Sequence, residues 1–308
     1  MLKKIAYLFR IVLLLSLALT NTMCLSDGEN KTALHRTPRR PAKKYIAFTC
    51  DTEAYFCPPS FEHWQGVFTM DMVRVCEKEN IPFTWLVICD RERSPREFRE
   101  IDAVMKTVWP LRKGIDDFGI HVHFNYFIND TPGDEVWKIP ARRIAFLKAA
   151  LARRKEVAMP APVSFRYGGG DMRVGFYLIE DIRLLHSAGV RNYLLPLAHD
   201  LTDIQGLDKS QIRHCGNNVF QINDMQDITL FRGPRSSLEL PTDELLRRID
   251  DGLAKADYIT VTCHDYTAVV PSNLSAAVRH LRRKYDCEFV TIARIGELIR
   301  AGKIKNEF

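Results

Sequence analysis

Two pairs of residues in this chain have the types and spacing needed to hold a metal ion: Asp51 with Glu53, and His121 with His123. In an extended strand, side chains at i and i+2 leave from the same face, so each pair converges if its segment is a strand. Two imidazoles and a carboxylate, with positions left for water, describe a catalytic rather than a structural metal site. The competing reading makes one histidine a core residue and the other a surface residue. Three further groups stand in comparable places. Arg166 leaves an apolar run at 163–167 and needs a carboxylate or water partner, for which Asp51 is a natural candidate. The glycines at 168–170 would let backbone approach a ligand, or would serve as a plain flexible turn. His264 follows the apolar run 258–263 and is either a buried structural histidine or a proton donor to a leaving group.

These groups need a scaffold, and the hydropathy pattern supplies one. Short apolar runs rich in Val, Ile, Phe or Tyr occur at 45–50, 83–89, 119–124, 163–167, 193–197, 220–223, 258–263 and 289–292. Each reads as a strand buried on both faces. Amphipathic stretches lie between them, at 68–79, 96–112, 141–157, 176–188, 242–256 and 274–285. Thr242 and Ser272 mark helix starts and Gly189 a stop. The repeated strand-then-helix order predicts an α/β fold, a single deformed (β/α)7-8 barrel of parallel strands over 44–308. Such barrels carry their chemistry at the C-terminal strand ends. Asp51, Glu53, His121, His123, Arg166 and His264 all fall there.

The net charge of +6 lies outside that domain. Residues 1–44 hold nine Lys/Arg against Asp27 and Glu29, leaving 35 basic and 36 acidic residues for 45–308. The body is balanced, so the basic excess gives no argument for a nucleic-acid partner. Residues 1–22 read as a signal peptide: Lys3, Lys4 and Arg10 precede an apolar run at 11–19, then Thr20, Asn21 and Thr22. The run is short for a membrane span, although an uncleaved anchor acting as a membrane tether is the alternative. Residues 23–43 are a polar, basic linker. The expected location is therefore secreted, periplasmic or associated with the cell envelope. Export would permit disulfides among the eight cysteines. Cys50, Cys89 and Cys263 sit in strand-like runs as small hydrophobes, while Cys57, Cys76, Cys215 and Cys287 are the ones that could pair. Asn30, Asn129 and Asn273 are glycosylation acceptors by pattern.

The order of the strand-end motifs resembles the NodB-type polysaccharide deacetylases, carbohydrate esterase family 4. The segment 48–53, Phe-Thr-Cys-Asp-Thr-Glu, resembles their paired-acid motif, and 119–124, Gly-Ile-His-Val-His-Phe, their histidine motif in an HxH form. Residues 164–169 are similar to the arginine motif and 262–266 to the last histidine motif, with 238–241 resembling the strand between them. The likeness spans roughly 44–298. It departs from the common pattern at Thr52, which separates the two acids, and at Asn125, which stands where a second histidine is usual. The stretch 194–196 also replaces an Asp-Ser-Ser sequence.

The resemblance implies a hydrolase that removes N-acetyl groups from an amino-sugar-containing glycan. It implies Asp51 as general base held by Arg166, and His264 as general acid. Glu53, His121 and His123 would be ligands of a divalent metal, most simply Zn²⁺, with Co²⁺, Ni²⁺ or Mn²⁺ as alternatives. Exchanged roles for Asp51 and Glu53 stay open. Tyr55 and Trp64, in an aromatic loop with Phe56, Phe61 and His63, either stack on sugar rings or anchor the loop. Asn125, Gly168 and Gly169 complete the expected substrate contacts. Two rival readings are a metal amidohydrolase acting on a small molecule and a carbohydrate-binding pseudoenzyme of the same fold. A two-histidine-one-carboxylate iron oxygenase is a distant third.

Overall fold

The computed structural model describes residues 43–55, 59–60, 63–88, 99–122, 140–167, 179–196, 220–224 and 237–304. The apolar runs form β1 (Lys44–Thr52), β2 (Thr84–Ile88), β3 (Asp117–Val122), β4 (Ser164–Tyr167), β5 (Asn192–Pro196), β6 (Phe220–Asp224), β7 (Tyr258–His264) and β8 (Cys287–Phe289). Helices follow the amphipathic stretches: α1 (Thr69–Lys78), α2 (Arg99–Thr107), α3 (Trp109–Arg112), α4 (Pro140–Glu156), α5 (Ile179–Ser187), α6 (Thr242–Lys255), α7 (Val270–Lys284) and α8 (Ile292–Arg300). The strand order is β6-β5-β4-β3-β2-β1-β7, with β8 on the first residues of β1. Every pairing is parallel. The sheet curls until β6 lies beside β7. This is the expected α/β barrel of parallel strands.

Alternation along β1 shows how the barrel is filled. Ile46, Phe48 and Cys50 join the large core beneath the helices, with Val73 and Cys76 of α1 and Leu274 and Val278 of α7. Ala47 instead joins Leu86, Leu194 and the α8 residues Ile292, Ile295 and Leu298 in a second buried cluster. Thus α8 closes the N-terminal end of the barrel. Thr49 and Asp51 continue the Ala47 face toward the opposite end, and the polar side chains there have apolar packing below them.

The interior leaves little room at β3. A methyl group on Gly119 would sit 2.6 Å from both the Ser164 carbonyl oxygen and Leu86 Cδ2. The carbonyl belongs to a paired strand and cannot move cheaply. Gly119→Ala is therefore expected to cost about 1–3 kcal/mol by overpacking, read as a lowered denaturant midpoint.

Two expectations about local structure change. The run 289–292 divides, because Thr291 caps α8 by accepting a hydrogen bond from the Arg294 N–H, which ends β8 at Phe289. The segment expected as a strand at 238–241 contains a 3₁₀ turn, Ser237–Glu239. Asn273, a glycosylation acceptor by pattern, is 1% exposed and donates through Nδ2 to the Leu238 and Leu240 carbonyls. It serves the fold rather than a glycan. Among the described cysteines, Cys50, Cys76, Cys263 and Cys287 are free thiols, the first three buried. Burial pushes the Cys50, Cys76 and Cys263 thiols up, away from the reactive thiolate. Cys24, Cys57, Cys89 and Cys215 lie outside the described residues, as do the leader and linker through residue 42.

Candidate functional site

Parallel register sets the strand-end groups within two residues of one level, with Asp51 beside Leu86 and His121 beside Ile88 of the strand between them. Asp51 is paired with His264 across β1 and β7, and His121 with Arg166 across β3 and β4. Asp51, Glu53 and His121 each offer one donor atom, all within 4.8 Å of one another, and all three residues are buried. His121 Nε2 lies 2.8 Å from Glu53 Oε1 and 3.7 Å from Asp51 Oδ2. Two of the expected ligands, Glu53 and His121, are thus in place, with Asp51 alongside them. His123 lies outside the described residues, as do Asn125, Gly168 and Gly169.

Asp51 is held from its other side. Arg166 Nη1 donates to Asp51 Oδ1 at 2.9 Å, and Nη2 donates to Thr262 Oγ1 at 2.7 Å. Thr262 Oγ1 is in turn 3.0 Å from Thr49 Oγ1. The partner that Arg166 required is Asp51. A planar fork with one arm on the carboxylate and one on a hydroxyl fixes the direction of the acid as well as its charge.

His264 approaches from β7. Its Nδ1 is 3.0 Å from Glu239 Oε1, which also accepts the His264 backbone N–H at 3.0 Å. Its Nε2 is 4.0 Å from Glu53 Oε1. The Tyr266 ring stacks on the imidazole, 4.8 Å between centroids. Burial opposes the imidazolium, but the charge and hydrogen bond of Glu239, followed by the charges of Glu53 and Asp51, push its pKa up to about 10. Asp265, fully buried, is pushed up to about 6; burial dominates, opposed by the donors Glu53 N–H, Thr69 and Ala54 N–H.

The raised His264 value has a consequence for stability. Its pKa in the folded chain exceeds the ordinary 6.5, so its contribution is complete below that pH and is lost as pH climbs toward about 10. The melting temperature of metal-free protein should therefore fall over this window. Glu239→Gln should flatten the fall by removing the largest stabilising partner. Thermal melts in chelator across that range check this, and a flat wild-type profile would contradict it.

Asp51 and Glu53 both face His121; Arg166 also holds Asp51, and His264 lies 4.0 Å from Glu53. Glu239 is matched by His264, and Asp265 by backbone and hydroxyl donors. Hard carboxylate oxygens beside one imidazole suit a divalent cation chemically. The described donors fit a divalent metal.

Tyr55 and Trp64 are both tied to the fold, whereas Phe56 and Phe61 lie outside the described residues. Trp64 Nε1 donates to the Ala54 carbonyl at 3.2 Å, and Trp64 packs against Ala54, Ile88 and Tyr266. The Tyr55 N–H donates to Glu100 Oε2 at 3.0 Å. Glu239 and Asp265 are the contributors that motif spacing alone does not assign.

No protein-family model and no curated protein matches this sequence. Solved structures do match its fold. A Mycobacterium smegmatis protein named as a polysaccharide deacetylase aligns at TM-score 0.54 and 14% identity, covering 88% of this chain and 94% of its own. A Pseudomonas aeruginosa PAO1 protein named in the same way aligns at 0.52 and 14%, covering 87% and 93%. Puue allantoinase aligns at 0.52 and 12%, covering 90% and 98%. The fold is that of the NodB-type deacetylase barrel.

Proposed function

We propose that the chain is a divalent-metal hydrolase that removes N-acetyl groups from an amino-sugar-containing glycan. The observation that carries this reading is the convergence of three units at one end of the barrel: Asp51 on Arg166, Glu53 on His121, and His264 on Glu239. Together they provide a base, a metal site and an acid, the set that amide hydrolysis requires.

Glu53 and His121 would hold the metal, with His123 as a third ligand on the family resemblance; Zn²⁺ is the simplest occupant. A divalent cation there polarises a carbonyl and makes water acidic enough to ionise near neutral pH. Asp51, oriented by Arg166, takes the water proton. His264 presents Nε2 to the site because Glu239 engages Nδ1, and so delivers its proton to the departing amine. Ala54, Ile88, Tyr266 and Trp64 pack into an apolar cluster that adjoins Glu53 through Ala54 and His264 through the Tyr266 ring. The N-terminal leader pattern supports an exported or envelope-associated enzyme facing a carbohydrate polymer.

Because Puue allantoinase shares the fold, the decisive experiment carries a small-molecule arm. The full chain, loaded with Zn²⁺ or Co²⁺, is incubated with N-acetylated chitin-type and peptidoglycan-type oligosaccharides and, separately, with allantoin. Acetate release from a glycan is the expected result. Turnover of allantoin alone, or metal uptake and glycan binding without acetate, would overturn the reading.

A further inference from the structure

Glu53 is placed differently from the other site residues. It lies one residue beyond β1, past the final sheet pairing of Thr52 with Val87. Asp51, His121, Arg166 and His264 are all fixed by paired strands; Glu53 is not. Its support comes from outside the sheet. The N–H groups of Glu53 and Ala54 both donate to Asp265 Oδ1, each at 2.8 Å. Successive N–H groups of an extended strand point to opposite edges, so two of them on one oxygen define a turn whose concavity receives an anion. Asp265 Oδ2 accepts the Thr69 hydroxyl at 2.8 Å, and the Asp265 carbonyl accepts the Phe68 N–H at 2.8 Å. The residue is 0% exposed. It therefore joins the end of β1, the start of α1 and the end of β7, with its carboxylate spent on backbone and hydroxyl donors.

We infer that Asp265 is a positioning residue for the metal ligand Glu53: its carboxylate fixes the turn at Glu53–Ala54 and so aims the Glu53 side chain at His121. The inference rests on the metal-site reading above. The spacing of the paired acids explains the need. With Thr52 between Asp51 and Glu53, the second acid falls where β1 has no neighbour left to hold it. An acceptor carried on the residue after His264 also ties the ligand to the strand bearing the proposed acid.

The test measures Zn²⁺ affinity of the full chain by competition with a chromophoric chelator, a readout separate from catalysis. Losing an outer hydrogen-bonding partner of a metal ligand weakens binding by about 10- to 100-fold, the fall expected for Asp265→Ala. Asp265→Asn should stay within about twofold, because its amide oxygen still accepts both N–H groups and the Thr69 hydroxyl can turn to accept. Ile295→Ala, a cavity at the opposite end of the barrel, should leave affinity unchanged and so separates positioning from general destabilisation. Should Asp265→Ala fail to fold, Thr69→Val decides, with about fivefold weaker binding expected from loss of one of three donors. Wild-type affinity in folded Asp265→Ala, or in Thr69→Val where it decides, overturns the inference alone, as does an equal loss in Ile295→Ala. A wild-type chain that takes up no Zn²⁺ overturns the metal-site reading, and the inference falls with it.

Discussion

His121→Ala is expected to abolish tight metal uptake and detectable deacetylation together, whereas Asp51→Asn is expected to keep the metal and lose about 10²- to 10⁴-fold in kcat. The contrast follows from what each side chain touches. His121 Nε2 faces both carboxylates of the cluster and is the described nitrogen donor among them. Removing an outer partner of a ligand already costs about 10- to 100-fold in affinity, so removing the ligand itself must cost more. Asp51 has its Oδ1 engaged by Arg166, and asparagine preserves an oxygen for that bond while losing the capacity to take a proton. Chelator competition and acetate release, measured on the same preparations, separate the two effects. Loss of metal from Asp51→Asn with retention in Glu53→Gln would exchange the roles of the two acids. Full activity in His121→Ala would remove the site assignment altogether.

Much of this arrangement could be read from local sequence because strands obey a simple rule. Period-two alternation placed Asp51 on the inner face of β1 and His121 on that of β3, and parallel register then brought both strand ends within two residues of one level. Arg166 was legible because a guanidinium leaving an apolar strand requires an acid. The rule fails where a strand ends. Alternation from His264 puts Asp265 on the opposite face, yet the chain has left β7 by then and the carboxylate turns back to the Glu53 and Ala54 amides. Glu239 was hidden for another reason. It reaches His264 from a 3₁₀ turn held by Asn273, a residue that reads locally as a surface acceptor. Contacts of this kind depend on tertiary closure, which no residue spacing encodes. The division of 289–292 between β8 and α8 was similarly masked, since an apolar run does not reveal that Thr291 will cap a helix.

Arg166→Met should destabilise the metal-free chain by about 3–5 kcal/mol, a fall in melting temperature on the order of 10 °C. Methionine fills a similar volume, so the loss is one of charge and hydrogen bonds more than of packing. Asp51 is 2% exposed and would be left beside Glu53 without its paired cation. Thr262 would also lose its guanidinium donor while keeping the contact with Thr49. Two further results distinguish this mechanism from a generic core defect. Saturating Zn²⁺ should recover part of the loss, because a dication supplies positive charge to the same carboxylates and binds only the folded chain. Adding Asp51→Asn to Arg166→Met should also recover stability, because the buried carboxylate is then gone; the double-mutant cycle should show a coupling above ~1 kcal/mol. A purely steric defect would worsen with the second substitution and would not respond to its charge. A loss below about 1 kcal/mol in Arg166→Met, or strictly additive effects in the cycle, would mean that the Arg166–Asp51 pair is not what balances the acidic end of the barrel.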